Sequence, residues 1–249
     1  MPDLHTKHGC ADEIKWEALG LDWLRTSDGI QVVAVHSWNA SQLVEERLHE
    51  TSVSNQDAED FARQLFVTHS AGAPAFGAGP AGWDEATDGW IGRARLPLGH
   101  YDSWGKFYAE LRVLPYLKQA VDQGDAHGAG VQRIEKLCNR LISGEFDDDR
   151  PPARMHGDLW AGNVIGTDRG VVVIDPAAHG GHGESDLAML ALFGHPQLRR
   201  IQDTYAEVAQ LDGAWRSRVG LHQLFPLLVH TVLFGGGYWR QAVNAAEQI

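Results

Sequence analysis

The chain has 249 residues, 43% of them hydrophobic and 22% charged, which fits a soluble globular protein with one large domain or two lobes around a cleft. Its formal net charge of −12 argues against a nucleic-acid partner or an anionic-membrane face, either of which calls for a basic surface. Two cysteines, Cys10 and Cys138, make no disulfide framework, and there is neither a basic start with an apolar run nor an apolar stretch of about 18 residues, so a cytoplasmic location is expected.

The chain opens on D-L-H-T-K (3–7), read as the end of a strand with Leu4 and Thr6 on one face and Lys7 on the other. Asp12 is placed to cap a helix in which Ile14, Ala18, Leu21 and Leu24 recur at helical spacing and which carries Glu17. Residues 31–35 (Q-V-V-A-V) predict a strand, and 43–48 (L-V-E-E-R-L) predict another or its exit. Phe61, Leu65 and Phe66 mark a helix over 57–70 that ends near His69. The Gly-, Ala- and Pro-rich run 72–82 is a turn-rich loop; it lacks the strand before and the helix after that a phosphate loop needs.

Ser103 is a candidate N-cap for a stripe of Trp104, Phe107, Tyr108 and Leu111, which Pro115 is expected to interrupt. Val131, Ile134, Leu137, Cys138 and Leu141 form a further helical face, so Cys138 is expected to be buried. The acidic run 145–149 and Pro151-Pro152 mark an exposed connection. Beyond the central stretch, helices are expected from 186, over 198–211 and over 215–247, with interruptions near Pro226 and the triple glycine 235–237. The order is a short strand-rich start followed by a mostly helical remainder with one hairpin.

That hairpin lies in the stretch 154–186, the most informative part of the chain. Residues 163–165 and 171–174 are strand candidates around the turn G-T-D-R-G (166–170), so Asp175 returns close to Asn163. Two oxygen ligands converging at one end of a hairpin suit a hard cation shared with phosphates and water. Asp158 precedes them on an irregular loop, where a carboxylate is free to reach a hydroxyl. Taken singly, H-G-D is an ordinary turn, Asp175-Pro176 an ordinary strand end, and Lys7 and Glu17 two surface charges ten apart. His179 and His182 read as residues of a Gly-rich loop rather than transition-metal ligands. In order and together, Asp158, Asn163 and Asp175 predict a phosphoryl-transfer site: base, then two ligands of Mg2+ on a nucleotide.

H-G-D-L-W-A-G-N (156–163) resembles the catalytic loop of the fructosamine kinase (ketosamine-3-kinase) family, within the aminoglycoside-phosphotransferase and choline-kinase branch of the protein-kinase-like fold. I-D-P (174–176), G-H-G-E-S-D-L-A-M (181–189), W-E-A-L-G-L-D-W-L (16–24), F-Y-A-E-L-R-V-L-P-Y-L (107–117) and F-P-L-L-V-H-T-V-L-F-G-G-G-Y (225–238) look similar to the same family. The resemblance implies an α+β, bilobal fold. Residues 1–48 would form a truncated, β-containing N-lobe and 49–249 a large, mainly helical C-lobe.

It also implies roles: Asp158 as catalytic base, Asn163 and Asp175 as Mg2+ ligands, Lys7 as the phosphate-binding lysine and Glu17 as its helix partner. The 43–48 segment would be the hinge, with Glu46 and Leu48 set against ATP. His156 and Asp186 would brace the loop, and Trp160 would shape the acceptor pocket. The implied activity is ATP-dependent phosphorylation of the sugar 3-hydroxyl of a ketosamine or glycated amine, a deglycation repair. The alternatives are a kinase of another small alcohol, such as an aminoglycoside or choline, and a kinase-like binding protein without turnover.

One departure stands at the front. The family carries two strands and a phosphate-covering loop before the lysine, whereas Met1 stands six residues before Lys7. A start codon placed too late is the favoured expectation, over a truncated chain or a natural lack of the loop. Without that cover, phosphates would stay more hydrated, and the unpaired Lys7 strand would leave edge association into a homodimer open.

Overall fold

The computed structural model describes residues 3–249. It begins with β1 (Leu4–His8), α1 (Ala11–Leu24), β2 (Gln31–Val32), β3 (Val35–Trp38) and β4 (Gln42–Glu46). Next come α2 (Asn55–Ser70), the hairpin β5 (Gly89–Ile91) and β6 (Ala94–Leu96), α3 (Trp104–Phe107), a π-helical segment (Tyr108–Val113), α4 (Leu114–Gln123) and α5 (Ala129–Ile142). The remainder holds β7 (Ala153–Met155), a short 3-10 turn (Ala161–Asn163), β8 (Val164–Thr167), β9 (Gly170–Val173), β10 (His179–Gly181), α6 (Gly183–Phe193), α7 (Leu198–Val208), α8 (Trp215–Phe234) and α9 (Tyr238–Glu247). No helix among the described residues is long and apolar enough to cross a membrane.

The first sheet has the antiparallel order β1-β4-β3, with Lys7 opposite Leu43. Ile14, Ala18, Leu21 and Leu24 bury the inner face of α1. Leu43 and Glu45, two apart on β4, are both buried, because alternation puts them on the same side of the strand. Two apolar cores fill the molecule. One gathers Trp104, Phe107, Tyr108, Leu137 and Phe225; the other joins α1, α2, the β8–β9 hairpin and α7 through Leu21, Phe61, Leu65, Val172 and Ile201. Leu159 belongs to the second core and Ala177 to the first, so the stretch between them passes from one core to the other.

Several elements differ from expectation, each for a local reason. Residues 31–35 do not form one strand: β2 pairs in parallel with β9, whereas β3 pairs with β4. The N-cap of α1 is Cys10 rather than Asp12, because the Glu13 carboxylate accepts the Cys10 N–H at 3.1 Å. The later part of the chain holds the β5–β6 hairpin and the β7–β10 ribbon besides β8–β9; their three-residue strands are too short for periodicity to register. His179 lies on β10 rather than in a loop, whereas His182 stands between β10 and α6 as the N-cap of that helix. The acidic run is not merely an exposed connection: Asp147 accepts from Ser103 and from the Gly105 N–H, and Asp148 pairs with buried His182.

Neither proline stops its helix. Pro115 follows the π-helical segment, and the carbonyl of Leu111, four residues earlier, accepts from the Arg112 guanidinium at 3.2 Å instead. Pro226 lies inside α8, where its missing N–H frees the His222 carbonyl. The buried Tyr108 hydroxyl donates to the carbonyls of Leu221 and His222 at 2.8 and 2.9 Å, and accepts the Phe225 N–H at 3.1 Å. The real break comes at Gly235 and Gly236, whose φ values of 61° and 66° turn α9 back against α8.

Tyr108→Phe keeps the ring but removes the hydroxyl that serves the His222 carbonyl in place of the N–H missing at Pro226. A loss of about 1–3 kcal/mol is expected, seen as a fall in Tm of about 2–4 °C for each kcal/mol lost. An unchanged melting temperature would mean that the helix tolerates Pro226 without the hydroxyl.

Candidate active site

The loop between β7 and β8 is fixed from below by a buried carboxylate. Asp186, in the first turn of α6, is fully buried and accepts the N–H groups of His156 and Gly157 at 2.8 and 2.9 Å. His69 on α2 adds a third bond at 3.0 Å through Nε2, and its Nδ1 meets the Tyr205 hydroxyl of α7 at 2.6 Å. Because the carboxylate accepts only, His69 donates from Nε2 and takes the Tyr205 proton on Nδ1. Burial alone would raise the Asp186 pKa, but the His69 bond and the nearby imidazoles outweigh it and hold the group ionised, below the usual carboxylate range.

His156 ties the loop to the hairpin. Its Nε2 donates to the Ile174 carbonyl at 2.9 Å and its Nδ1 accepts the Asp158 N–H at 3.2 Å, so the backbone of Asp158 is set relative to that of Asp175. Both ring nitrogens are used by the neutral imidazole, and burial lowers its pKa accordingly. Gly157 permits the crossing: its φ is 80°, and a Cβ there would lie 2.2 Å from the Ala177 carbonyl oxygen.

The Asn163 amide N–H groups point to the carbonyls of Asp158 and Asp175 at 2.9 and 3.3 Å. That orientation leaves Oδ1 as its lone-pair atom toward the cleft. Asp175 adopts a φ of 54° immediately before Pro176, a left-handed backbone that Asp tolerates better than most residues but at a cost. Its carboxylate, 45% exposed, contacts the Lys7 ammonium. Lys7 also lies 2.5 Å from Glu17 and 3.2 Å from Glu45. Burial would lower the lysine pKa, but the three carboxylates carry it above its ordinary value. Burial pushes Glu17 up to about 7 against the pull of Lys7, and pushes Glu45 up as well.

Burial, reinforced by the negative charges of Asp175 and Asp186, raises Asp158 to about 7. The residue stands where two cavities meet. A polar cleft of about 560 Å³ is lined by Lys7, Glu17, Arg93, Asn163 and Asp175. A second cavity of about 420 Å³ is lined by Phe193, His230, Phe234 and Tyr238. Asp158, Trp160 and Gly92 border both.

Lys7, Glu17, Asp158, Trp160, Asn163 and Asp175 thus come together, with His156 and Asp186 beneath them. Glu46 and Leu48 do not line this cleft. The Glu46 carboxylate is held by Arg169 and the Ala34 N–H, and its own N–H goes to the Ala34 carbonyl. Leu48 is half-buried against the second core, and its N–H has no partner among the described residues. Four contributing residues escaped the sequence reading. Glu45 shares the face of buried Leu43 on β4, and His69 continues the 61–65 stripe of α2, so both left a periodic signal. Tyr205 likewise continues the Leu198–Ile201 face of α7, and Arg93 left no such signal.

The family model for fructosamine kinase matches residues 5–249. A probable ketoamine kinase of Synechocystis sp. is 32% identical over 240 residues, which cover 93% of this chain and 77% of that protein. A solved structure from Thermobifida fusca, assigned as a fructosamine-3-kinase, superposes with a TM-score of 0.89 at 46% identity, covering 98% of this chain and 84% of the other. A choline/ethanolamine kinase family protein of Mesorhizobium loti, at 13% identity and a TM-score of 0.62 over 99% of this chain and 82% of its own, shares the fold alone. The fold is therefore α+β and protein-kinase-like.

Asp186→Asn keeps one acceptor oxygen but turns an N–H2 either toward the Gly157 N–H or toward the His156 N–H and His69 Nε2, so at least one of the three donors meets a donor. A loss of about 1.5–3 kcal/mol in urea unfolding is expected, since the bonds involve a buried charge. A variant as stable as the parent would remove Asp186 from its anchoring position.

Proposed function

The chain belongs to the fructosamine kinase family, and on that premise we propose that it transfers the terminal phosphoryl group of ATP to the sugar 3-hydroxyl of a ketosamine. One observation carries the reading: Asp158 sits at the border of a polar cleft, where Lys7 and Arg93 stand among carboxylates, and a separate cavity, and burial raises its pKa to about 7. A group that takes a proton from a hydroxyl works best with a pKa near the working pH, and it must reach acceptor and donor at once.

The polar cleft is the side for the nucleotide. Lys7 reaches into it, held in direction by Glu17 and Glu45, and Arg93 at the turn between β5 and β6 adds a second cation. The Leu48 N–H, outside this cleft and without a partner among the described residues, is the hinge group left for a base edge. The donor set fits Mg2+: Asn163 Oδ1 and the exposed Asp175 carboxylate are hard oxygens on one wall of the cleft. Bound there, the ion would offset charge on the phosphate oxygens. In the free protein Lys7 is shared by three carboxylates, so a phosphate chain with its cation replaces the Asp175 contact rather than adding to it.

On the other side, Asp158 orients the acceptor hydroxyl and takes its proton as the oxygen attacks phosphorus in line. His156 keeps the Asp158 backbone in register with Asp175, so base and phosphate-side oxygens do not drift apart. Trp160 forms the wall between the two cavities. Phosphorylation at the 3-hydroxyl makes such an adduct labile, which gives the reaction its sense as deglycation.

Asp158→Asn is expected to abolish Mg·ATP-dependent phosphorylation of fructosyl-amines, measured as ADP release, while circular dichroism stays native. Retained turnover would exclude Asp158 as the base. For the parent, kcat/KM should rise with pH through about 7 and then level, because only the ionised carboxylate accepts the proton.

The raised pKa also makes a stability statement. Between the ordinary value near 3.8 and about 7, the native state keeps a proton that the unfolded chain has lost, so the parent loses stability as pH climbs through that window. Asp158→Asn should therefore be more stable than the parent by about 1–3 kcal/mol at pH 8 and no more stable at pH 4. The measurement is urea unfolding at the two pH values.

A further inference from the structure

The second cavity has a composition that the phosphoryl-transfer chemistry does not require. Phe193 closes the C-terminal end of α6, His230 and Phe234 lie on α8, and Tyr238 opens α9. Their rings form a connected wall around His230, with centroids 5.1 Å from Phe193, 5.4 Å from Phe234 and 5.0 Å from Tyr238. Trp160 joins the wall edge-on to Phe193 at 6.1 Å, which carries the aromatic surface up to Asp158.

His230 acts here as a ring and not as a charge. Its Nδ1 is 2.7 Å from the Pro226 carbonyl and donates to it, and burial among the rings lowers its pKa. Asp158 at the border is the one Asp, Glu, Lys or Arg among the residues that line the cavity. Met189, Val229 and Leu233 complete an apolar surface. An ionised group carried deep into the cavity would find no partner of opposite sign and would lose its hydration. At the mouth, Trp160, Phe193 and Phe234 are 40%, 44% and 67% exposed, an area of aromatic surface left to water beside the reactive residue.

The geometry of a ketosamine makes this cavity the exit for its amine side. The 3-hydroxyl and the amine-bearing carbon are two carbons apart, so the nitrogen lies a few bonds from the oxygen that Asp158 addresses. The polar cleft is taken by the phosphate chain in the proposed reaction, and the 420 Å³ cavity is the other space that borders Asp158. We propose that this cavity binds the amine substituent of the acceptor, and that it selects ketosamines whose substituent is apolar and uncharged, aliphatic or aromatic, over those that carry a carboxylate close to the nitrogen. The protonated nitrogen itself stays at the mouth, between the Asp158 carboxylate and the Trp160 face, where a cation is favoured. This inference rests on the ketosamine reading for the acceptor, and adds what hangs from the nitrogen.

The test uses the full chain and fructose adducts of methylamine, butylamine, benzylamine and glycine. Each is followed by ADP release with Mg·ATP and, separately, by calorimetric binding without nucleotide. The butyl and benzyl adducts should exceed the methyl and glycine adducts by about tenfold or more in kcat/KM. Phe234→Ala and Phe193→Ala should shrink the benzyl-to-methyl ratio by about fivefold, chiefly through KM. A general loss of folding lowers both substrates equally and leaves that ratio unmoved.

Turnover of all four adducts at similar kcat/KM, or a ratio that neither variant changes, overturns the inference while leaving the ketosamine reading intact. Absence of turnover with every adduct, together with benzyl-adduct binding that Phe234→Ala weakens, supports the cavity assignment and removes the ketosamine reading. Absence of both turnover and binding overturns both.

Discussion

A single buried carboxylate holds the site together. Asp186 is an ion out of contact with water, a placement that costs several kcal/mol unless its lone pairs are filled. Here they are filled by two N–H groups of the catalytic loop and by His69, so the loop conformation and the ionisation of Asp186 depend on each other. The chain of contacts runs further, through Tyr205 to α7 and through His156 to the end of β9. A loop that looks irregular is therefore held by elements distant in sequence, which fixes the backbone at Asp158.

Above that anchor the charges are deliberately unbalanced. Lys7 faces Glu17, Glu45 and Asp175, and Asp158 stands nearby with its proton held by burial and by its negative neighbours. Such an excess of negative charge is unfavourable in the free protein and is relieved by a cation, so the site is poised for ligands that arrive with one. The left-handed backbone of Asp175 points the same way: strain at a residue whose side chain faces the cleft is kept only when the surrounding structure over-determines it. His156 on one side and the hairpin ladder on the other supply that over-determination.

The sequence made the local grouping of the polar residues legible and the scaffold less so. Asp158, Asn163 and Asp175 fall within one local unit, a loop and a hairpin, and local units leave their spacing in the chain. Lys7 and Glu17 needed only the strand–helix order. Tyr205 reaches the site across 136 residues from His69, and no periodicity encodes such a contact. The prolines misled for a related reason. Propensity predicts a break at Pro226, and the compensation lies in the hydroxyl of Tyr108, more than a hundred residues away. Glu45 and His69 fall between these cases. Each sat on an apolar face and so announced burial, but a buried polar residue does not say which partner it meets.

The two cavities at Asp158 share the β5–β6 turn and otherwise draw on separate parts of the chain, and that separation has consequences for specificity. The polar cleft draws on β1, α1 and the 158–175 loop and hairpin, whereas the aromatic cavity draws on the end of α6, on α8 and on the start of α9. Its shape depends on the glycine turn at Gly235 and Gly236, which brings Tyr238 back against His230, and on the tolerance of α8 for Pro226. None of these residues touches Asn163, Asp175 or Lys7. Changes in ring size along α8 can therefore reshape the aromatic cavity without touching Asn163, Asp175 or Lys7. Gly92, Asp158 and Trp160 are the exceptions, since they border both spaces, and a substitution at any of them must reach the two cavities together.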